Sequence, residues 1–283
     1  MIPEEVREWL QVGGYSEILS IKPVGGGCIN NGMVLETVFG QTFFLKTNSN
    51  SPGNMFTREV EGLKALSVQD GPRVPMPYLW GEGFILMEDL APAARQQEYW
   101  PDFGRKLAAL HQHTMDRFGF HHDNYIGSTP QVNLWTDDGY TFFGKHRLIF
   151  QADLANKRGL LNQVEVNVIE NLAARLQEII PVQPASLIHG DLWSGNATTG
   201  DKGEPAIIDP AAHYGWAEAE LAMTNLFGAF PESFYRAYEE IRPLEAGFQQ
   251  RFPIYNLYHL LNHLNLFGVG YLGQVRSVLR RFR

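Results

Sequence analysis

The chain has 283 residues, 44% apolar and 19% charged, which is enough for a sizeable core and excludes an intrinsically disordered chain. Its formal net charge of −8 argues against a nucleic-acid partner, which needs a basic face. One cysteine, Cys28, excludes an intramolecular disulfide framework and fits a reducing compartment.

The opening MIPEEVREWL is acidic and amphipathic, which predicts a short helix over 3–12 and not a secretory signal. An apolar stretch then leads to the glycine cluster Gly25-Gly26-Gly27. Residues 34–38 and 42–46 are rich in β-branched and aromatic side chains around Gly40-Gln41, which predicts a β-hairpin. Phe56, Val60, Leu63 and Leu66 recur at helical spacing, so a helix is expected over 55–66. Pro72, Pro75 and Pro77 break the chain, and Trp80-Gly81 and Phe84-Ile85-Leu86-Met87 suggest two further strands. Helices are expected over 99–113, 142–154, 164–180, 217–227, 233–241 and 252–269, with short strands at 186–189 and 206–209. Four arginines within 276–283 read as a solvated helix end, where cations suit the dipole. No apolar run reaches the roughly 18 residues of a membrane span, so a soluble, cytoplasmic protein is expected. The expected organisation is α+β, a small antiparallel-sheet lobe over 1–88 followed by a larger, mainly helical lobe over 89–283.

The strongest chemical signal is HGDLWSGN at 189–196, followed by Ile207-Ile208-Asp209-Pro210. Phosphoryl transfer needs a carboxylate to orient the attacking hydroxyl and accept its proton, and oxygen ligands for the Mg²⁺ that neutralises the phosphates. Asp191 is the candidate base; Asn196 and Asp209 are the candidate metal ligands. Asp and Asn also cap ordinary turns, but their ordered spacing before an apolar strand that ends in Asp209 favours the catalytic reading. Upstream, Gly25, Gly26 and Gly27 would let backbone amides approach phosphates. Lys46 closes the strand Phe43-Phe44-Leu45 and can point its ammonium at the phosphates of ATP. Glu59, on the next helix, is its natural counter-ion. Glu61 competes for that place, but only one of the two should face Lys46.

This order of motifs resembles the aminoglycoside-phosphotransferase-like branch of the protein-kinase-like fold, and more specifically the fructosamine kinase (ketosamine-3-kinase) family. The likeness runs in order over nearly the whole chain. It includes GGGCIN at 25–30, FFLKTN at 43–48, IGSTPQVNLW at 126–135, TFFGKHRL at 141–148 and YNLYHLLNHLNLFG at 255–268. The resemblance implies a two-lobed fold and ATP- and Mg²⁺-dependent phosphorylation of the C3 hydroxyl of a ketosamine, free or protein-bound, in a deglycation role. It also implies an adenine-reading hinge at Met87, Glu88, Asp89 and Leu90, and a sugar pocket that includes Trp193 and His263.

Gly190 stands where protein kinases carry an arginine, and Asp209-Pro210-Ala211 where they have Asp-Phe-Gly, which argues against a regulated protein kinase. His259 and His263 share a helical face, but Leu260 occupies the place of the glutamate a zinc protease needs, so packing or substrate contact is favoured over metal. Cys28 lies in the glycine loop. Some members of the resembled family carry a cysteine there, so the chain is expected to be a monomer or a redox-linked dimer. Two readings compete with a ketosamine kinase: a kinase of the aminoglycoside or choline type, and a nucleotide-binding pseudokinase. The thin supply of Asp and Glu over 211–283 speaks against a polycationic substrate. The retention of Lys46, Asp191 and Asp209 speaks against a pseudokinase.

Overall fold

The computed structural model describes residues 2–25 and 30–282. The first part of the chain runs α1 (Glu4–Val12), β1 (Ile18–Val24), β2 (Asn31–Thr37), β3 (Thr42–Thr47), α2 (Met55–Leu66), β4 (Pro77–Gly81) and β5 (Phe84–Glu88). The strands form one antiparallel sheet in the order β1-β2-β3-β5-β4. Period-two alternation gives each face its own cover. Phe43, Leu45, Phe84 and Leu86 pack with Val6 and Leu10 of α1, while Ile85 and Met87 pack with Phe56, Val60 and Leu63 of α2. Both faces are therefore buried, which is why β5 reads as a continuous apolar run. The same alternation places Lys46 opposite Ile85 in register, on the α2 face.

The second part is mainly helical: α3 (Tyr99–His111), β6 (Thr114–Met115), β7 (Asn124–Ile126), β8 (Thr129–Gln131), α4 (Gly139–Phe143), α5 (Phe150–Lys157), α6 (Gln163–Ala174) and α7 (Leu176–Ile179). It continues with β9 (Ala185–Ile188), β10 (Ala197–Thr199), β11 (Pro205–Ile207), β12 (His213–Gly215), α8 (Ala217–Leu226), α9 (Glu232–Ile241), α10 (Phe248–Phe267) and α11 (Leu272–Leu279). One core spans these helices, with Phe103, Leu107, Phe234, Leu257 and Leu261 fully or nearly fully buried. Gly104 lets α3 lie directly on α9, because a Cβ there would sit 2.2 Å from the Phe234 carbonyl oxygen. Among the described residues no helix is long and apolar enough to cross a membrane.

Three expectations are corrected. The helix expected over 142–154 begins three residues earlier, where the Asp138 side chain accepts the Thr141 amide at 2.7 Å. It is also interrupted by a π-helical turn, Gly144–Ile149. That turn carries Arg147, whose fully buried guanidinium donates to the Val132 carbonyl and to Asn133 Oδ1. Helix α10 starts at Phe248, four residues before the expected boundary, so Pro253 lies inside it. The tail is not simply solvated: Arg276 donates to the buried Glu165 at 2.6 Å.

Candidate active site

A cleft of about 640 Å³ opens between the sheet and the helices, and nearly all the described sequence candidates line it. Lys46 is buried there and donates to Glu59 Oε1 at 2.5 Å and to Asp209 Oδ1. Burial alone would lower the Lys46 pKa, but the two carboxylates outweigh it and hold the ammonium above its ordinary value. Glu61 faces elsewhere, bonded to Arg58 at 2.6 Å and to His122 at 3.1 Å. Helix α2 is thus tied to the helical part at its outer edge. Tyr125 donates to Asn54 Oδ1 at 2.7 Å, and Gly62 rests on Pro210 and Ala212.

Strand β9 delivers the loop His189-Gly190-Asp191, and three buried groups fix its shape. Glu220, from α8, accepts the His189 amide on Oε2 at 2.9 Å and the Gly190 amide on Oε1 at 2.7 Å. His111 Nε2 donates to Glu220 Oε2 at 2.9 Å, and the Tyr238 hydroxyl donates to His111 Nδ1 at 2.8 Å. Burial lowers His111 despite Glu220, so it is neutral and this tautomer satisfies every partner. Burial would raise Glu220, but the His111 hydrogen bond and neighbouring donors hold it below the usual carboxylate range.

The three candidates for chemistry are locked to one another by short bonds. His189 Nε2 donates to the Ile208 carbonyl at 2.8 Å, beside Asp209. Ile208 donates its amide to the Asn196 carbonyl at 3.1 Å. Asn196 Nδ2 donates to the Asp191 carbonyl at 2.8 Å and to Asp191 Oδ2 at 3.3 Å, which leaves Asn196 Oδ1 as an acceptor. Burial and the Asp209 charge push the Asp191 carboxyl well above its ordinary range, against the Asn196 hydrogen bond. Asp209 turns the chain at φ +59°, a left-handed conformation that Asp tolerates better than most residues.

Gly190 has φ +82°, and a Cβ there would lie 2.2 Å from the Ala211 carbonyl oxygen. No side chain fits, which explains the departure from arginine. Gly190→Ala is expected to cost at least about 2 kcal/mol through strain and close contact, read as a lower midpoint in urea denaturation. An unchanged midpoint would refute this.

His213 and His259 are buried and neutral. Burial, aided by nearby cations, holds His213 well below the ordinary histidine value and His259 at about 3. Both titrate near 6.5 in the unfolded chain, about as in model peptides. Below that pH the unfolded chain binds protons that the folded chain refuses, so stability falls as pH falls. The slope is about 1.4 kcal/mol per pH unit for each histidine. Glu220 adds to the same trend at lower pH, since its folded value is depressed. Asp191 and Glu59, raised by burial, act in the opposite sense. His111 and His189, lowered by burial, join the other two histidines, so melting curves between pH 6.5 and 5 should show a falling Tm, and a flat Tm would contradict it.

At the far end of the cleft Trp193 meets Phe227 edge-on at 6.1 Å, and His263 lies 4.7 Å from Phe227 and 5.0 Å from Tyr271. Trp193 and His263 therefore share one aromatic wall. Phe227 and Tyr271 complete it, and neither had a role assigned from the sequence. At the near end Met87, Glu88, Asp89 and Leu90 line the cleft. Glu88 is braced by Arg73 at 2.5 Å, and Arg73 also reaches Glu204 at 2.5 Å. Gly25 follows β1 directly. Gly26, Gly27 and Cys28 lie outside the described residues, as does any dimer contact through Cys28. Glu220 was also missed. Its only trace in sequence is an acid set among the small apolar residues of Ala217-Glu218-Ala219-Glu220-Leu221-Ala222.

A family model described as fructosamine kinase matches residues 2–283. A Synechocystis sp. protein assigned as a ketoamine kinase is 44% identical over 92% of this chain and 89% of its own length. A chloroplastic protein-ribulosamine 3-kinase of Arabidopsis thaliana is 40% identical over 99% of this chain and 87% of its own. The crystal structure of a Thermobifida fusca protein assigned as a fructosamine-3-kinase superposes with a TM-score of 0.86 at 31% identity, covering 94% of each chain. An ADP-bound aminoglycoside phosphotransferase, APH(2'')-Ib, reaches a TM-score of 0.64 at 13% identity over 99% of this chain and 97% of its own, which shows the shared fold alone.

Proposed function

Because this chain belongs to the fructosamine kinase family, we propose that it transfers the γ-phosphoryl group of ATP to the C3 hydroxyl of ketosamines, the sugar adducts of lysine or small amines. The observation that carries the reading is the convergence of Lys46, Asp191, Asn196 and Asp209 on one cleft, in a chain of this family. Deglycation of small molecules or proteins is the role this activity would serve.

Lys46, aimed by Glu59, would meet the α- and β-phosphates, and the glycine run 25–27, read from the sequence alone, would cover them. The hinge 87–90 holds adenine. Asp191 orients the acceptor hydroxyl and takes its proton as the O–P bond forms. Asn196 Oδ1 and Asp209 are hard oxygen donors that fit Mg²⁺ and would hold it, and the bound ion would offset charge on the transferring group. The rest of catalysis is positioning, in a cleft where buried hydrogen bonds hold the His189-Gly190-Asp191 loop. We divide the chain at 88/89 into an ATP-binding lobe and a catalytic and substrate lobe. First proteolytic cuts well inside either lobe would count against that division. A cytoplasmic setting belongs to the same proposal, supported by the single cysteine, and recovery in a secreted fraction would overturn it.

The acceptor end of the cleft supports a sugar adduct over a polycation. Its wall is Trp193, Phe227, His263 and Tyr271, and among the described residues no carboxylate after 211 lines it. Aromatic faces suit a sugar ring or a single amine cation. The same wall would also suit choline, which is the alternative reading. The deciding assay is ATP consumption with Mg²⁺ on ribulosyl-lysine, fructosyl-lysine, an aminoglycoside and choline. Turnover confined to the ketosamines is expected, and preference for choline or the aminoglycoside would overturn the assignment.

A further inference from the structure

Two buried polar atoms beside the candidate base face each other without partners. Asp191 Oδ1 and His259 Nδ1 are 3.9 Å apart, and among the described residues neither has a hydrogen-bond partner. His259 is itself 5% exposed. An orphaned buried polar atom is destabilising, so two of them in apposition call for a reason. The separation is roughly 1 Å longer than a hydrogen bond. Bonds between catalytic groups are often this loose before substrate binds and tighten in the reactive complex.

The two oxygens of Asp191 are differently placed. Oδ2 is touched by Asn196 at 3.3 Å, while Oδ1 is turned toward α10 and buried. Oδ2 is therefore the oxygen left to meet an acceptor hydroxyl. An ionised carboxylate only accepts hydrogen bonds, so His259 complements it only with the proton on Nδ1. The opposite tautomer would set a lone pair against Oδ1.

We propose that His259 is a positioning residue for the base. Its Nδ1–H holds Asp191 Oδ1 as the acceptor binds, which fixes the carboxylate with Oδ2 toward the acceptor hydroxyl. The inference rests on the reading of Asp191 as the base. It adds a residue that touches neither substrate nor metal and acts through the carboxylate alone. His263, one turn further along α10, has a different place: its Nδ1 bonds the His259 carbonyl at 2.8 Å and its ring joins the aromatic wall.

Three variants separate this role from simple packing. His259→Leu fills the space without a donor, His259→Asn puts an amide N–H where Nδ1 was, and His259→Gln puts it where Nε2 was. His259→Leu and His259→Gln should lower kcat by about 10- to 100-fold while KM for ATP and acceptor stays within about twofold, since misplaced reacting groups cost rate and not uniform binding. His259→Asn should recover most of that loss. A Leu variant within about fivefold of the wild-type kcat, or an Asn variant no faster than Leu, would overturn the proposal. If the Leu variant does not fold, ¹⁵N NMR of the wild-type histidines at pH 8 decides. Protonated Nδ1 on His259 is expected, and protonated Nε2 rules the role out. That measurement needs no acceptor. Failure of the wild type to phosphorylate any ketosamine would sink the proposed function and leave this result readable.

Discussion

Asp191→Asn is expected to lower kcat by at least about 100-fold, the usual worth of a positioned general base. The substitution keeps the shape of the side chain and an oxygen for Asn196 Nδ2, so the loop should stay in place. It removes the carboxylate proposed to take the proton of the attacking hydroxyl. Lys46, Glu59 and Asp209, which would meet the nucleotide and metal, are not bonded to Asp191. Nucleotide affinity should therefore change little. Steady-state kinetics beside an ADP titration checks both halves. A kcat within tenfold of wild type would remove Asp191 from the role of base, and a matching loss of ADP affinity would make it a binding residue instead.

Glu220→Ala is expected to lose about 3–5 kcal/mol of stability, the cost of stripping a buried charged group from its partners. Two backbone amides, from His189 and Gly190, and the ring of His111 would lose their acceptor in a buried site. For a chain of this size that is a fall in Tm of roughly 10 °C. Turnover should fall further than stability explains, because the freed loop carries Asp191. Glu220→Gln retains one carbonyl oxygen and should lie between. Hydrogen exchange offers an independent reading: the amides of His189 and Gly190 should be among the most protected in the wild type and exposed in the Ala variant. A Tm within 2 °C of wild type would show that the carboxylate is not the anchor described.

The fixed pose of α2 bears on regulation. Protein kinases switch by forming or breaking a strand-lysine to helix-glutamate pair. Here the Lys46–Glu59 pair is formed, and α2 is pinned by Asn54 to Tyr125, by Glu61 to His122 and by Gly62 against Pro210. Gly190 also stands where an arginine would read a phosphorylated loop. Both features suit an enzyme governed by its substrates.

What the sequence by itself determined is what local pattern encodes. The apolar run Phe43-Phe44-Leu45 marked a strand closed by Lys46, because aromatic and aliphatic residues bounded by turn signals suit a buried strand. Apolar spacing fixed α2 at both ends, Met55 and Leu66, because its stripe runs unbroken between a polar turn and Ser67. HGDLWSGN and the aspartate after the next apolar run announced themselves because their groups are close in sequence and of chemically distinctive types. The tertiary structure alone decided the support. Glu220 lies about 30 residues beyond the amides it holds, and His111 and Tyr238 come from two other helices. An acid on an Ala- and Leu-rich helix reads locally as a surface charge, and only the packing of α8 under β9 turns it inward and leaves it no partners but these. The π-helical turn escaped for the same reason, since the buried Arg147 finds its acceptors in the Val132 carbonyl and Asn133 Oδ1, brought from outside the turn. His259 read as one more histidine in a leucine-rich helix. Its meaning depends on the direction of Nδ1 toward a carboxylate 68 positions earlier in the chain, a relation that has no period and leaves no local mark.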